Sequence, residues 1–265
     1  MTTAIIGAGV MGETLLSGLL RAGVPKSELL IADRRIERSA EVTKEHGVAN
    51  GTNQEVSAKA DTVVLVVKPQ DMAIVLDEIK DSLRPGTLVV SLAAGITTGF
   101  MEDLLPAKTP VIRVMPNTPA LVDQGMAAIS SGTNSTEEHL VTVETLLRSV
   151  GQVVRVPEKY QDAVTAISGS GPAYIFYVVE AMIEGGVMLG LPRDVANELV
   201  LQTVYGAATM LRETNEHPTV LREQVTSPGG TTVAALRQFD DFKVRAAFLS
   251  AMEAARDRSK ELGMQ

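Results

Sequence analysis

Gly7-Ala8-Gly9-Val10-Met11-Gly12 is a G-x-G-x-x-G run that follows the apolar stretch Thr3-Ala4-Ile5-Ile6 and opens an apolar helical pattern. That context gives the motif its physics. The first glycine permits a tight turn, the second lets backbone approach a pyrophosphate, and the third lets helix pack on strand. Free N–H groups at the helix start then attract phosphate. Asp33 lies 21 positions beyond Gly12 (33 − 12), just after the next apolar run. A carboxylate there can accept from a ribose 2′-OH or cap the following helix. Arg34 and Arg35 follow at once, and Arg38 a turn later. Guanidinium forks suit a 2′-phosphate, although the same residues suit a solvated helix start. The balance predicts NADPH as cofactor, with NADH also accepted.

Three further segments sit where an open α/β sheet binds ligands, beyond the carboxyl ends of apolar strand-like runs. They are Val67-Lys68-Pro69, Ala93-Ala94-Gly95 and Met115-Pro116-Asn117-Thr118-Pro119. Small residues at 93–95 let a flat nicotinamide lie against backbone. The two prolines stiffen the loop that presents Asn117, which is placed as a substrate contact. In the second half, Thr226-Ser227-Pro228-Gly229-Gly230-Thr231-Thr232 precedes an apolar helix expected to begin near Val233. Glycine-exposed N–H groups at a helix start suit a carboxylate, and the Thr232 hydroxyl can donate to or accept from a substrate heteroatom. A plain helix cap would need only one of these residues.

Other chemistries are excluded by what is missing. The chain has no Cys, so it has no thiol nucleophile, disulfide or Cys-ligated metal. His46, His139 and His217 have no carboxylate at triad or metal spacing, so surface positions and no metal are expected. Ser168-Gly169-Ser170-Gly171 departs from G-x-S-x-G, because Ala166 and Ser168 stand where glycine is needed. A net charge of −8 without a basic block predicts no nucleic-acid partner. The apolar stretch 173–189 contains Glu180, Glu184 and two glycines, which argues against a membrane span. A strand starting by Ala4 leaves no room for a signal peptide, and a cytoplasmic location is expected.

These residues need elements to hold them. Apolar runs at 3–6, 29–32, 62–67, 87–90, 111–114, 126–129 and 153–156 read as strands. Helical patterns at 10–22, 37–46, 72–79 and 137–147 lie between them, with Asp71 as a cap. The alternation predicts an α/β fold: an N-terminal Rossmann-like, doubly wound, mostly parallel sheet over 1–158. After Pro157 the strand pattern stops. Helices are expected at 162–167, from Pro172 to about 189, from about 193 past 211, and over 242–262, making 159–265 an all-helical oligomerisation and substrate-binding domain. Gly185-Gly186 inside one helix suggests close approach of another, favoured here as a contact between subunits.

The glycine fingerprint, Val67-Lys68-Pro69, Ala93-Ala94-Gly95, Asn117-Thr118-Pro119, 168–174 (Ser-Gly-Ser-Gly-Pro-Ala-Tyr) and 227–232 (Ser-Pro-Gly-Gly-Thr-Thr) occur in order over the whole chain. Together they resemble pyrroline-5-carboxylate reductases. The resemblance implies NAD(P)H-dependent reduction of 1-pyrroline-5-carboxylate to L-proline, the last step of proline biosynthesis. It implies a helical domain that dimerises and assembles further, often to a decamer. By similarity, Gly7 to Gly12, Asn53, Val67 to Pro69 and Ala93 to Gly95 line the cofactor. Ser227, Gly229, Gly230, Thr231 and Thr232 would hold the substrate carboxylate and ring nitrogen, with Thr232 nearest the imine. Two rival readings remain at this point. A β-hydroxyacid dehydrogenase shares the glycine start, but Ile175 stands where that family wants a Lys. A non-catalytic NADP-binding sensor leaves the Ser227–Thr232 segment without a purpose.

Overall fold

The computed structural model describes residues 1–263. Short β-branched and leucine-rich runs form the central strands, where both sheet faces are covered and β1, β2, β4 and β5 are buried at every position. The strands are β1 (Thr3–Ile6), β2 (Leu29–Ala32), β3 (Ala49–Asn50), β4 (Thr62–Leu65), β5 (Leu88–Ser91), β6 (Val111–Met115), β7 (Gly125–Ser131) and β8 (Gly151–Arg155). They build one sheet in the order β3-β2-β1-β4-β5-β6-β7-β8. All neighbours are parallel except β6 and β7, which pair antiparallel through Val114↔Ile129. The doubly wound, mostly parallel sheet expected from the alternation is therefore present.

Helices α1 (Val10–Arg21), α2 (Ile36–His46), α3 (Asn53–Ser57), α4 (Met72–Ile79), α5 (Thr98–Leu104) and α6 (Glu137–Leu147) cover it. On one face, Leu15, Leu16 and Leu19 of α1 and Val143 and Leu147 of α6 close over Ile5, Ile31, Val64 and Ile112. On the other, Met72, Leu76 and Ile79 of α4 and Met101 of α5 close over Ile6, Val63, Leu65 and Val89. Each fully buried side chain of this size contributes about 1.5–3 kcal/mol. The strand order reverses between β1 and β4. Connections there leave in opposite directions and open a crevice at the carboxyl ends.

The later residues form α7 (Gln161–Val164), α8 (Gly171–Met188), α9 (Arg193–Thr214), α10 (Pro218–Gln224), α11 (Thr231–Asp241) and α12 (Val244–Gly263). Among the described residues no strand follows β8. The chain divides into two compact units, Met1–Ser170 with the stretch from Ala255, and Gly171–Ala254. Residues 158–170 pack on the sheet: the buried Gln161 amide donates to Ser130 Oγ at 2.8 Å, and Glu158 accepts from the Thr98 amide at 2.8 Å. The end of α12 returns to the same unit, where Ser259 Oγ donates to Asp162 at 2.8 Å.

In the helical part, Gly186 admits the close approach of another helix, since an added Cβ would lie 3.0 Å from Ala196 Cβ of α9, while an added Cβ on Gly185 meets nothing within 4 Å. The helical stretch Glu158–Met188 is long and apolar enough, by length and composition alone, to cross a bilayer. It is interrupted by a π-helical turn at Thr165–Gly169. Gly169 in that turn leaves room for Met115, whose Cε would sit 2.5 Å from an added Cβ.

Candidate active site

The turn from β1 into α1 is dictated by its glycines. Gly7 has φ +109°, and an added Cβ would sit 2.3 Å from the Val66 carbonyl oxygen. Its N–H donates to Ala32 O at 2.8 Å, which presses the turn between β2 and the end of β4. An added Cβ on Gly12 would lie 1.9 Å from Gly7 O, so the start of α1 can sit this close only without a side chain. Gly9 is the N-cap of α1 in an extended conformation, with no side-chain cap and nothing within 4 Å of an added Cβ. The first N–H groups of α1 therefore lack intrahelical partners and face an open approach.

A cleft of about 270 Å³ lies at this crevice, lined by Gly7, Gly9, Asp33, Arg34, Arg35, Asn53, Val67, Lys68, Asp71 and Val75 among others. Of the fifteen expected cofactor residues, seven line this cleft: Gly7, Gly9, Arg34, Arg35, Asn53, Val67 and Lys68. Ala8 is buried beneath the loop, Val10 is exposed and Met11 half-buried on α1, and Pro69 is exposed just beyond Lys68. The lining suits an adenine dinucleotide: uncapped backbone donors for a pyrophosphate, two guanidiniums at the β2 end, and Val67 and Val75 as apolar wall.

Asp33 is held from three sides. It accepts from the Ala8 N–H at 2.8 Å, the Arg35 N–H at 2.9 Å and the Arg35 guanidinium at 3.3 Å. Burial pushes its carboxyl up, but donation from the Arg35 backbone and guanidinium and the Ala8 backbone outweighs this and holds it below the usual carboxylate range. It does not cap α2, whose N-cap is Arg35. Asp71 makes no cap hydrogen bond to α4 either. Its carboxylate pairs with Arg34 at 3.3 Å inside the cleft, a role its reading as a cap missed. Asn53 opens α3 behind a capping box between Thr52 and Glu55 and donates to Glu78 at 2.7 Å.

The two loops further along the sheet are built from within. Gly95 has φ +78°, and an added Cβ would lie 3.3 Å from the Gly263 nitrogen. The left-handed backbone thus already favours glycine at 95, with the end of α12 packed tightly beside it. Ala93 is buried and Ala94 half-buried beside it. Asn117, expected to touch substrate, has both ends of its amide engaged: Nδ2 donates to Ser168 O at 3.0 Å and Oδ1 accepts from Met126 N at 2.8 Å. It braces the loop.

In the second unit, α11 begins at Thr231 rather than near Val233. The shift makes Thr231 and Thr232 its first two residues, so their N–H groups have no intrahelical acceptor. Gly229 has φ +68°, and the Gly230 N–H closes the turn onto Ser227 O at 3.0 Å. Gly230 is the N-cap and supplies no side chain to block the helix end. Ser227, Gly229 and Thr231 are exposed, and Thr232 is half-buried.

The histidines are not all plain surface residues. His46 is half-buried with Nε2 3.3 Å from Glu13. Ligand-type atoms of Glu13, Glu45 and His46 lie within 4.8 Å of one another, with Glu13 already paired to Arg38. His139 Nδ1 accepts from Thr136 N at 3.0 Å at the start of α6, and His217 Nδ1 accepts from Thr219 N at 3.2 Å at the start of α10.

Comparison with known proteins agrees with this geometry in both halves. Residues 158–262 match the family model for pyrroline-5-carboxylate reductase dimerisation, and residues 2–95 that for NADP oxidoreductase, coenzyme F420-dependent. A pyrroline-5-carboxylate reductase of Corynebacterium melassecola is 46% identical over 266 residues, 99% of this chain and 98% of that protein. The solved pyrroline-5-carboxylate reductase of Coxiella burnetii has a TM-score of 0.93 at 36% identity, with 98% of each chain covered. That of Plasmodium falciparum, solved with NADP bound, has a TM-score of 0.89 at 30% identity, covering 99% of this chain and 98% of that one.

Proposed function

The chain belongs to the pyrroline-5-carboxylate reductase family, and from that premise we propose that it reduces 1-pyrroline-5-carboxylate to L-proline with NAD(P)H. The observation that carries this reading is similarity through nearly the whole length, 46% identity over 99% of the chain. It favours this reading over a hydroxyacid dehydrogenase, and the assay below separates it from a non-catalytic sensor.

Residues 1–158 hold the cofactor in this reading, and 159–265 serve oligomerisation and substrate. NAD(P)H supplies the hydride for the carbon of the cyclic C=N bond. The Gly7–Gly12 backbone takes the pyrophosphate, Arg34 and Arg35 favour a 2′-phosphate, and Asn53, Val67, Lys68 and Pro69 line the remaining wall. Ala93, Ala94 and Gly95 form the surface for the nicotinamide ring. The open N–H groups at Gly230, Thr231 and Thr232 take the substrate carboxylate, with Ser227 and Gly229 shaping the turn. The Thr232 hydroxyl hydrogen-bonds the ring nitrogen. An imine of this basicity is protonated readily near neutral pH, so no strong acid is required and placement supplies most of the rate. Asn117 supports the site by bracing its loop.

The chain works as a homo-oligomer. Helix α8 buries none of its residues within the single chain, and Phe176, Tyr177, Met188 and Leu189 are 65%, 75%, 87% and 88% exposed. Such a face is covered by a second copy. Assembly beyond the dimer, to a decamer, is part of the proposal, as are a cytoplasmic location and the absence of nucleic-acid or membrane partners. The test mixes purified protein with NADPH and 1-pyrroline-5-carboxylate. Loss of NADPH absorbance with stoichiometric proline is expected. Cofactor that is bound but never consumed would overturn the reading.

A further inference from the structure

The three arginines that follow Asp33 do not do the same thing. The Arg34 and Arg35 side chains are 72% and 60% exposed and line the cleft. The Arg38 side chain is 26% exposed and turns toward α1. Its Nε donates to the Ala8 carbonyl at 2.9 Å, one Nη donates to Glu13 in the first turn of α1, and the other to Glu41 of its own helix at 3.3 Å. The N–H of the same Ala8 donates to Asp33 at 2.8 Å. Both polar groups of the residue between the first two glycines are therefore gripped by side chains from the segment 33–38.

This matters for the donors that follow. Gly9 itself has open space beyond its Cα, so nothing on that side restrains the loop. Pinning the two consecutive peptide groups that flank Ala8 fixes the direction in which the next N–H groups point, and pre-organised donors bind an anion without an ordering cost at the moment of binding. Glu13 sits in the first turn of α1, where an unpaired carboxylate would compete with a phosphate for the same donors. Arg38 and the neighbouring His46 ring face it, with Glu41 and Glu45 as the other charges nearby.

We propose that Arg38 is a positioning residue for the cofactor loop, holding Ala8 and shielding Glu13 so that the Gly9–Gly12 backbone can bind the pyrophosphate, and that it does not read the 2′-phosphate. The proposal rests on the reading of the cleft as an NAD(P)H site. It predicts a signature different from that of Arg34 and Arg35, because the pyrophosphate is common to both cofactors.

The test measures calorimetric dissociation constants of NADPH and NADH for the whole oligomer, with melting recorded for each variant. Arg38→Gln should weaken both cofactors about tenfold, the loss of one charge-assisted bond, and leave their ratio unchanged. In steady state the cofactor KM should rise with kcat held. Arg38→Lys keeps the charge and one donor, and should restore roughly half of the lost free energy, an about threefold deficit for both. A folded Arg38→Gln protein that binds both cofactors as wild type does would overturn the proposal. So would selective loss of NADPH, which would make Arg38 a phosphate reader. If Arg38→Gln does not fold, Arg38→Lys decides by the same criteria: equal weakening supports the proposal, and unchanged or NADPH-selective binding defeats it. A wild-type chain that binds neither cofactor would overturn the underlying reading, and the inference with it.

Discussion

Replacing Gly9 by Ala isolates the role of the glycine loop from its stability. Gly9 has φ −69° and ψ −176°, a conformation that Ala adopts freely, and an added Cβ meets nothing within 4 Å. The substitution removes unfolded-state freedom worth about 0.4–1 kcal/mol, while Ala is a poorer N-cap than Gly by a similar amount. The two effects oppose, so the melting temperature without cofactor should barely move. In the proposed cofactor pose, however, the methyl stands on the side from which the pyrophosphate reaches the α1 donors. Losing one charge-assisted bond costs about 1.5–3 kcal/mol, roughly a 10- to 150-fold rise in Kd. Gly12→Ala is the contrast. Its Cβ lies 1.9 Å from Gly7 O, and a tolerable 3.0 Å requires the helix start to move by at least 1.1 Å (3.0 − 1.9). The helix-propensity gain of about 1 kcal/mol does not offset overpacking against rigid backbone. Gly12→Ala should therefore lose both melting temperature and cofactor affinity. Titration of each variant with NADPH, beside thermal melts, separates the cases. Wild-type affinity in Gly9→Ala would refute the assignment of the pyrophosphate to this helix end.

The Arg34→Ser, Arg35→Ser double variant should bind NADPH about 5- to 30-fold more weakly, a modest figure because both guanidiniums are solvent-screened, and should bind NADH nearly as before. Equal loss for both cofactors would show that they serve structure instead. Thr232→Val removes the hydroxyl but keeps the shape and should lower turnover roughly 10- to 100-fold with cofactor affinity unchanged. Full turnover in that variant would leave the ring nitrogen without its assigned partner. Asp33 has a folded pKa below its unfolded value, so its stabilisation is complete above about pH 3.9 and fades as pH falls through the lower folded value. Asp33→Asn should accordingly melt lower near neutrality and show a shallower further loss below about pH 4. Parallel acid profiles for the two proteins would contradict this.

Where several physical rules agreed on one short segment, the sequence alone was enough. β1, β2 and α6 fall on the residues expected because each is an apolar run or stripe that only one element can bury. The glycine loop was legible for the same reason, since its chemistry lies in backbone geometry and needs no partner. β3 was missed because it is two exposed residues, and α3, α5 and α10 because five to seven residues carry too little periodicity. Their starts did carry signals: Thr52 with Glu55 is a capping box, and Thr97 accepts from the Phe100 N–H at 3.1 Å. Partnerships across elements were out of reach. Three arginines within five positions are chemically identical on paper, yet the fold hands Arg34 to Asp71, Arg35 to Asp33 and Arg38 to Glu13. Which of them can meet a ligand is decided by those carboxylates, which lie 37, 2 and 25 positions away in sequence. Spacing suggested one phosphate-reading cluster of arginines, whereas the contacts divide it into two residues that line the cleft and one that holds the loop beneath it.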